Sequence, residues 1–439
     1  MTPISFKAAL LFWFKLGFIS FGGPAGQIAL MHEELVERRK WISEKRFLHA
    51  LNFCMVLPGP EAQQLATYLG WLMHRTWGGI AAGVLFVLPS LFILIALSWV
   101  YIAFGNLPVI AGLFYGIKPA VTAIVLHAAW RIGGKALDSH ALMAVALAAF
   151  VAIFVFQVPF PAIVAVAALL GFLGGHYLPQ QFNKTTAHKN AGKPHTPALI
   201  DDDTPAPAHA RFRWLRLAAV CAVGVGLWAA PMAALTTALG WQHTYTQMSW
   251  FFTKAALLTF GGAYAVLPYV YQGAVTHFNW LSASQMIDGL ALGESTPGPL
   301  IMVVAFVGFV GGYVKAVLEP EHVFLAGAAA AALVTWFTFL PSFIFIFAGA
   351  PFIETSRNNL KLTAPLAAIS AAVVGVIVNL ALFFAYHVFW PNGFAGKVEW
   401  PAVAIAFIAA LALFKFKRSV LHVIAGSALA GLAYTFFVP

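Results

Sequence analysis

The sequence predicts an all-α integral membrane protein, a polytopic helical bundle of two repeats in opposite orientation, with broken or re-entrant helices at Phe-Gly-Gly and Pro-Gly-Pro motifs. Three observations carry this. Of 439 residues, 61% are hydrophobic and only 9% charged, whereas soluble domains are about 25% charged. The charges are clumped: none lies between Arg75 and Lys118, Asp138 and Lys184, Arg216 and Lys254, Glu321 and Glu354, or Lys361 and Lys397. Finally, one half of the chain repeats the other.

Each charge-free run holds one or two spans of about 20 apolar residues. In lipid they must be helical, because the backbone has no other hydrogen-bond partner. Full spans are expected near 79–104, 107–130, 140–157, 160–178, 217–239, 323–349, 362–390, 400–414 and 420–437. Residues 1–178 form the first repeat. Residues 179–216, rich in Lys, Asp and Pro, read as a polar cytoplasmic linker. Residues 217–439 form the second repeat, with one extra leading helix. The net charge of +10 fits basic cytoplasmic loops better than a nucleic-acid partner. Cys54 and Cys221 form no paired motif. The N-terminal run, interrupted by Lys7 and Lys15, shows no cleavable-signal pattern.

The repeat is in register from Lys15 to Pro60. Lys15, Phe21-Gly22-Gly23, Trp41, Ser43 and Pro58-Gly59-Pro60 recur as Lys254, Phe260-Gly261-Gly262, Trp280, Ser282 and Pro297-Gly298-Pro299, at an offset of 239. Further on the offset becomes 252, pairing Pro89-Ser90 with Pro341-Ser342. The loop from Glu33 to Arg46 carries five basic residues, and its counterpart from Gln272 to Gln285 carries no Lys or Arg. An inverted repeat follows, with the two loops on opposite faces of the membrane. That path requires the glycine and Pro-Gly-Pro segments to enter the membrane and return; the alternative is that they span it.

Broken backbone at membrane depth is tolerated where it lines a cavity or is buried in protein, and unwound helices at a repeat interface are where transporters bind substrate. A proline suits the first position of a helix, helix N-termini favour anions, and glycine admits close approach. The expected substrate-binding set is therefore Gly22, Gly23, Pro58, Gly59, Pro60, Gly261, Gly262, Thr296, Pro297, Gly298 and Pro299, with Ser20 and Thr259 as hydroxyl donors. Ordinary kinks are the plainer explanation of any single break. Lys15 and Lys254, each six residues before its Phe-Gly-Gly, either attract substrate or snorkel to the interface. Glu61 and Glu294 flank the Pro-Gly-Pro turns and are candidates for proton coupling. Lys118, His127, Arg131 and Asn379 are secondary candidates, with Arg131 expected to be a cytoplasmic anchor. No hydrolase, P-loop or metal-spaced motif occurs. Hence no enzyme activity, cofactor or metal is expected, and transport would run on an ion gradient or downhill.

At these motifs the sequence resembles the chromate ion transporter family in its long, two-domain form, from Lys15-to-Gly23, Trp41 and Pro58-Gly59-Pro60 through Lys254-to-Gly262, Trp280 and Glu294-Ser295-Thr296-Pro297-Gly298-Pro299. The resemblance implies chromate efflux across a bacterial inner membrane, giving chromate resistance. It also implies competition by sulfate and coupling to the membrane potential or to protons, as in antiport. The partners expected are chromate, sulfate, protons, the lipid bilayer and a second copy in a homodimer. The alternatives are uptake of sulfate or another oxyanion, and a membrane-embedded enzyme or scaffold using Glu61 and His127.

Overall fold

The structure is a computed structural model that describes residues 4–21, 23–182, 198–201, 207–260, 262–315, 317, 320–355 and 363–437. Gly22 and Gly261 lie outside the described residues, as do the linker residues Lys184, Lys189, Lys193, Asp202 and Asp203.

The first half contains α1 (Phe6–Ile19), α2 (Gly23–His32), α3 (Glu44–Val56), α4 (Glu61–Phe104), α5 (Pro108–Ala136), α6 (His140–Phe154), α7 (Phe160–Tyr177) and the single turn α8 (Pro179–Phe182). After it come α9 (Trp214–Leu239), α10 (Thr244–Leu257), α11 (Ala263–Tyr271), α12 (Ala283–Ser295), α13 (Val303–Val314), α14 (Val323–Thr355), α15 (Thr363–Phe389), α16 (Trp400–Phe414) and α17 (Val420–Phe437). Among the described residues the only β-type pairing is an isolated bridge between Ile42 and Ile200. The chain is an all-α, multi-pass membrane protein.

Among the described residues, seven helices are long and apolar enough to cross a membrane. The sequence led us to expect nine full spans. The two that fall short are α6 and α16, each of 15 residues. At 1.5 Å per residue each covers about 22 Å, less than a hydrocarbon core of about 30 Å.

The first four helices double back. The loop after α2 returns to α1, where Trp41 meets Phe12 edge-on at 5.8 Å. Its backbone pairs with the linker through Leu199 N–H to Lys40 O (3.0 Å) and Ile200 N–H to Trp41 O (3.0 Å). α4 is two helices merged at His74 and Arg75, whose φ/ψ values of −136/34° and 57/−155° are not helical. There the chain reverses: Gly70 lies against Gly78, and Thr67 against Gly79 and Gly83. His74 at this reversal hydrogen-bonds Ile4 O at 2.9 Å, and His209 of the linker hydrogen-bonds Trp71 O at 3.0 Å. The start of α1, the 40–43 loop, the 74–75 turn and the linker thus share one face.

The second half shows the same contacts. Trp280 lies 5.5 Å from Phe251, and α13 runs back along α14, with Gly308 against Ala330 and Gly312 against Ala326. Where the first half turns at His74–Arg75, the second ends α13 at Val314 and starts α14 at Val323.

The halves interlock. α5 packs on α16 and α17, and α15 packs on α6 and α7. Small residues allow these crossings, as is common between helices in lipid: Gly116 lies against Ser427 and Gly431, Gly171 against Ala364 and Pro365, and Gly375 against Ala146.

Candidate functional site

At the centre, each half's Pro-Gly-Pro turn crosses the other half's helix break. Gly59 N–H donates to Thr259 O at 2.7 Å, and Gly298 N–H donates to Ser20 O at 2.8 Å. The two bonds are equivalent under the repeat. They follow from what a broken helix leaves behind, since the last carbonyls of α1 and α10 have no intrahelical donor. The turn glycines hold φ values of +125° and +106°, a region costly for residues with a Cβ. A Cβ at Gly59 would meet the Ser342 hydroxyl, and one at Gly298 would meet Ser90. Ser90 and Ser342 are themselves repeat partners. Both are fully buried, and neither hydroxyl has a hydrogen-bond partner among the described residues. Two buried donors thus stand free beside two helix breaks, an arrangement a small oxyanion could satisfy.

The expected ligands divide on this geometry. The amides of Gly59 and Gly298 are occupied by the opposite half. Ser20 and Thr259 spend their hydroxyls on Leu16 O (2.6 Å) and Ala255 O (2.7 Å), so both bond back to their own helix. Thr296 does likewise, to Gly293 O at 3.2 Å. The Pro58 carbonyl accepts from Gln64 Nε2 at 2.7 Å, and Pro297 opens the opposite turn. Pro60 and Pro299 stand one residue before the next helical segment rather than at its first position. Gly23 and Gly262, at φ +71° and +96°, start α2 and α11. A Cβ on Gly262 would meet open space, and one on Gly23 would lie 3.9 Å from Arg131 Nη2.

The charges also sort themselves. Arg131, expected as a loop anchor, instead brings its guanidinium to the Gly23 break. It also acts electrostatically on Glu294 and Tyr264 of the other half. The Tyr264 hydroxyl donates to Glu294 Oε1. Glu61, at the start of α4, lies in the field of Lys135 and near the Cys54 thiol. Lys15 and Lys254 are on exposed helix surface while their neighbours Leu16 and Ala255 are buried. Lys254 sits over the Trp250 ring at 5.8 Å. That placement matches snorkelling to the interface, not convergence on the breaks. His127 packs edge-on against Phe414 at 5.1 Å, away from the central turns, and Asn379 is half-buried in α15. Lys118 belongs to a separate cluster with Asp288.

Sequence reasoning gave no role to Ser90 and Ser342, although the repeated Pro-Ser pair marked them. It also missed Gln27, whose amide nitrogen donates to Ser20 O and Gly298 O and ties both strands of one crossing together. Gln27 matches Val266 in the second half, so the repeat gave no signal. Among the described residues, no three His, Cys, Asp or Glu side chains group to hold a metal.

A family model described as chromate transporter matches residues 8–172 and 246–432, covering both halves and leaving out the linker and α9. The chain belongs to the chromate transporter family. This family member is 33% identical to a chromate transport protein of Pseudomonas aeruginosa, over 98% of this chain and 92% of that protein. It is 29% identical to the chromate transport protein of Cupriavidus metallidurans, over 97% and 92% of the two chains. It shares 29% identity with a probable chromate transport protein of Synechococcus elongatus, over 85% and 83%. No solved structure matches it. As a member of the chromate transporter family with seven long apolar helices, it is a multi-pass protein of a bacterial membrane, and a transporter.

Proposed function

We propose that the chain is a secondary transporter that exports chromate from the bacterial cytoplasm, with the anion held where the two halves cross. The observation that carries this is the reciprocal crossing of Pro-Gly-Pro turns and helix breaks, with Arg131 at one break and two unpartnered buried hydroxyls beside the turns. Chromate as substrate is supported by the names of the relatives.

In this reading Arg131 supplies the positive charge, the Ser90 and Ser342 hydroxyls donate to the oxyanion, and the first amides of α2 and α11 face it at the two Phe-Gly-Gly breaks. Glu294 competes with the anion for Arg131. An arriving dianion replaces that carboxylate as the partner of the guanidinium, and Glu294 then leaves the site neutral by taking a proton. Glu61, in the field of Lys135, is the acidic group beside the other Pro-Gly-Pro turn, at a position where the second half has Leu300. Proton and anion are thereby held together and move in the same direction; antiport, the coupling the resemblance implies, would need Glu294 to take its proton only after the anion has left. Sulfate, a tetrahedral dianion of similar size, should compete.

The basic loop of residues 33–46 and the linker on one face, with no Lys or Arg between Gln272 and Gln285 on the other, support a cytoplasmic linker and an inverted repeat. The chromate content of cells expressing the protein tests the proposal. Export lowers it relative to an empty vector, and external sulfate leaves the direction unchanged. A rise would show uptake instead, and no change would remove transport of chromate altogether.

A further inference from the structure

A second polar site lies away from the crossing, at the end of the bundle where α4 finishes and α5 begins. It is a cavity of about 390 Å³ lined by Tyr101, Asn106, Tyr115, Lys118, Gln285 and Asp288, among others. Asp288 projects from α12 and is almost fully buried, with a side chain 2% exposed. Its Oδ2 accepts from the Tyr101 hydroxyl at 2.8 Å and pairs with Lys118 Nζ at 3.3 Å. Its Oδ1 is buried and has no hydrogen-bond partner among the described residues. Lys118 Nζ also donates to Ser284 Oγ at 2.8 Å, and its side chain stays 29% exposed.

A buried carboxylate normally has all its lone pairs satisfied. Here one oxygen is left open while the other is shared by a phenol and an ammonium. The ammonium, held by Asp288 and Ser284, keeps one of its three donors open and faces a cavity with room for a hydrated oxyanion. The carboxylate holds back Lys118, the one cation among the described residues that line the cavity.

We propose that this cavity is a second oxyanion site in which Lys118 is the ligand and Asp288 an internal counter-ion that releases Lys118 by taking a proton on its open oxygen. The class of anion rests on the transport reading above; the latch itself rests on the geometry here. With Asp288 neutral, its Oδ1 becomes a hydroxyl and the Lys118 charge turns to the anion, so that one proton and one anion enter the cavity together. The titratable and charged groups on the surrounding elements are Tyr101 of α4, Tyr115 and Lys118 of α5, Tyr313 of α13, Tyr434 of α17, which stacks on Tyr115, and Glu399, which accepts from the Tyr115 hydroxyl. His387 of α15 is turned to its own backbone at Phe383 O. Asp288 is the carboxylate in direct contact with Lys118.

The test is sulfate binding by the full-length protein in lipid nanodiscs, measured across pH in an Arg131→Gln background that disables the central crossing. Affinity should fall as pH rises, by up to about tenfold per pH unit, the limit for one proton linked to one anion. Asp288→Asn should remove this dependence and hold affinity at its low-pH level. Lys118→Gln should abolish the binding. Should Asp288→Asn fail to insert, the double variant Lys118→Gln/Asp288→Asn removes both charges together and should show no binding at any pH. An unchanged pH slope in Asp288→Asn, or retained binding in either Lys118 variant, overturns the proposal. Failure of the central site reads differently: Arg131→Gln alone would then leave chromate transport intact, whatever the cavity does.

Discussion

Single residues at the crossing carry separable tasks. Gly59 and Gly298 keep space for Ser342 and Ser90, so Gly59→Ala or Gly298→Ala should overpack the centre and destabilise by about 1–3 kcal/mol. Thermal unfolding in detergent, followed by size-exclusion chromatography, would read this. Gly262→Ala adds a methyl to open space and should cost only the strain of its positive φ with an extended ψ, about 1–3 kcal/mol. Its transport should fall further than its stability if that break holds the anion. Arg131→Gln should abolish transport, whereas Lys15→Gln and Lys254→Gln should retain most of it. Loss of transport in a well-folded Lys15→Gln protein would return the exposed lysines to the site. The glycine and proline positions were legible in the sequence because duplication marked them. The orientation of Lys15 and Lys254 was not, because a lysine beside aromatic neighbours reads the same whether its helix turns it to lipid or to a cavity.

At the scale of elements, periodicity and charge located the apolar helices but not where they end. α6 was expected to run from 140 to 157 and stops at Phe154, whereas α16 keeps the expected bounds of 400–414 and is simply short for a full span. The reversal at His74–Arg75 was partly legible, since Arg75 interrupts the apolar residues and the next span was expected from 79, but only the backbone angles show that the chain turns back there. The linker docks at that reversal through His209, which bonds Trp71 O. Burial lowers the His209 pKa, as do Arg75 and Arg216, against the opposing effect of its hydrogen bond to Trp71. The detached linker therefore binds more protons than the docked one. Docking is complete above the ordinary imidazole range and weakens as pH falls through it. Protease cleavage between Asp201 and Arg213 should accelerate on acidification, and His209→Gln should remove the difference. Cleavage that ignores pH in the unaltered protein would rule out His209 as the latch.

For the whole molecule, the repeat predicted two halves but not their interlock, because helix-to-helix partnership leaves no mark in composition or offset. The orientation reading can be checked directly in a cysteine-free background: Ser282→Cys should react with an impermeant reagent applied outside cells, and Lys40→Cys should not. Equal labelling would end the inverted arrangement. The interlock also bears on shape change, since neither half can swing away as a rigid lobe without stripping α5 from α17 or α15 from α7. It matters equally during synthesis. The glycine seam of α5 leaves the ribosome some three hundred residues before Ser427 and Gly431 arrive to cover it. Until then the first half sits in the bilayer with Gly112 and Gly116 facing lipid or an insertion chaperone. A nascent chain truncated before α16 should accordingly be a substrate for membrane quality control. Co-expressed halves divided in the linker should instead rescue each other from degradation.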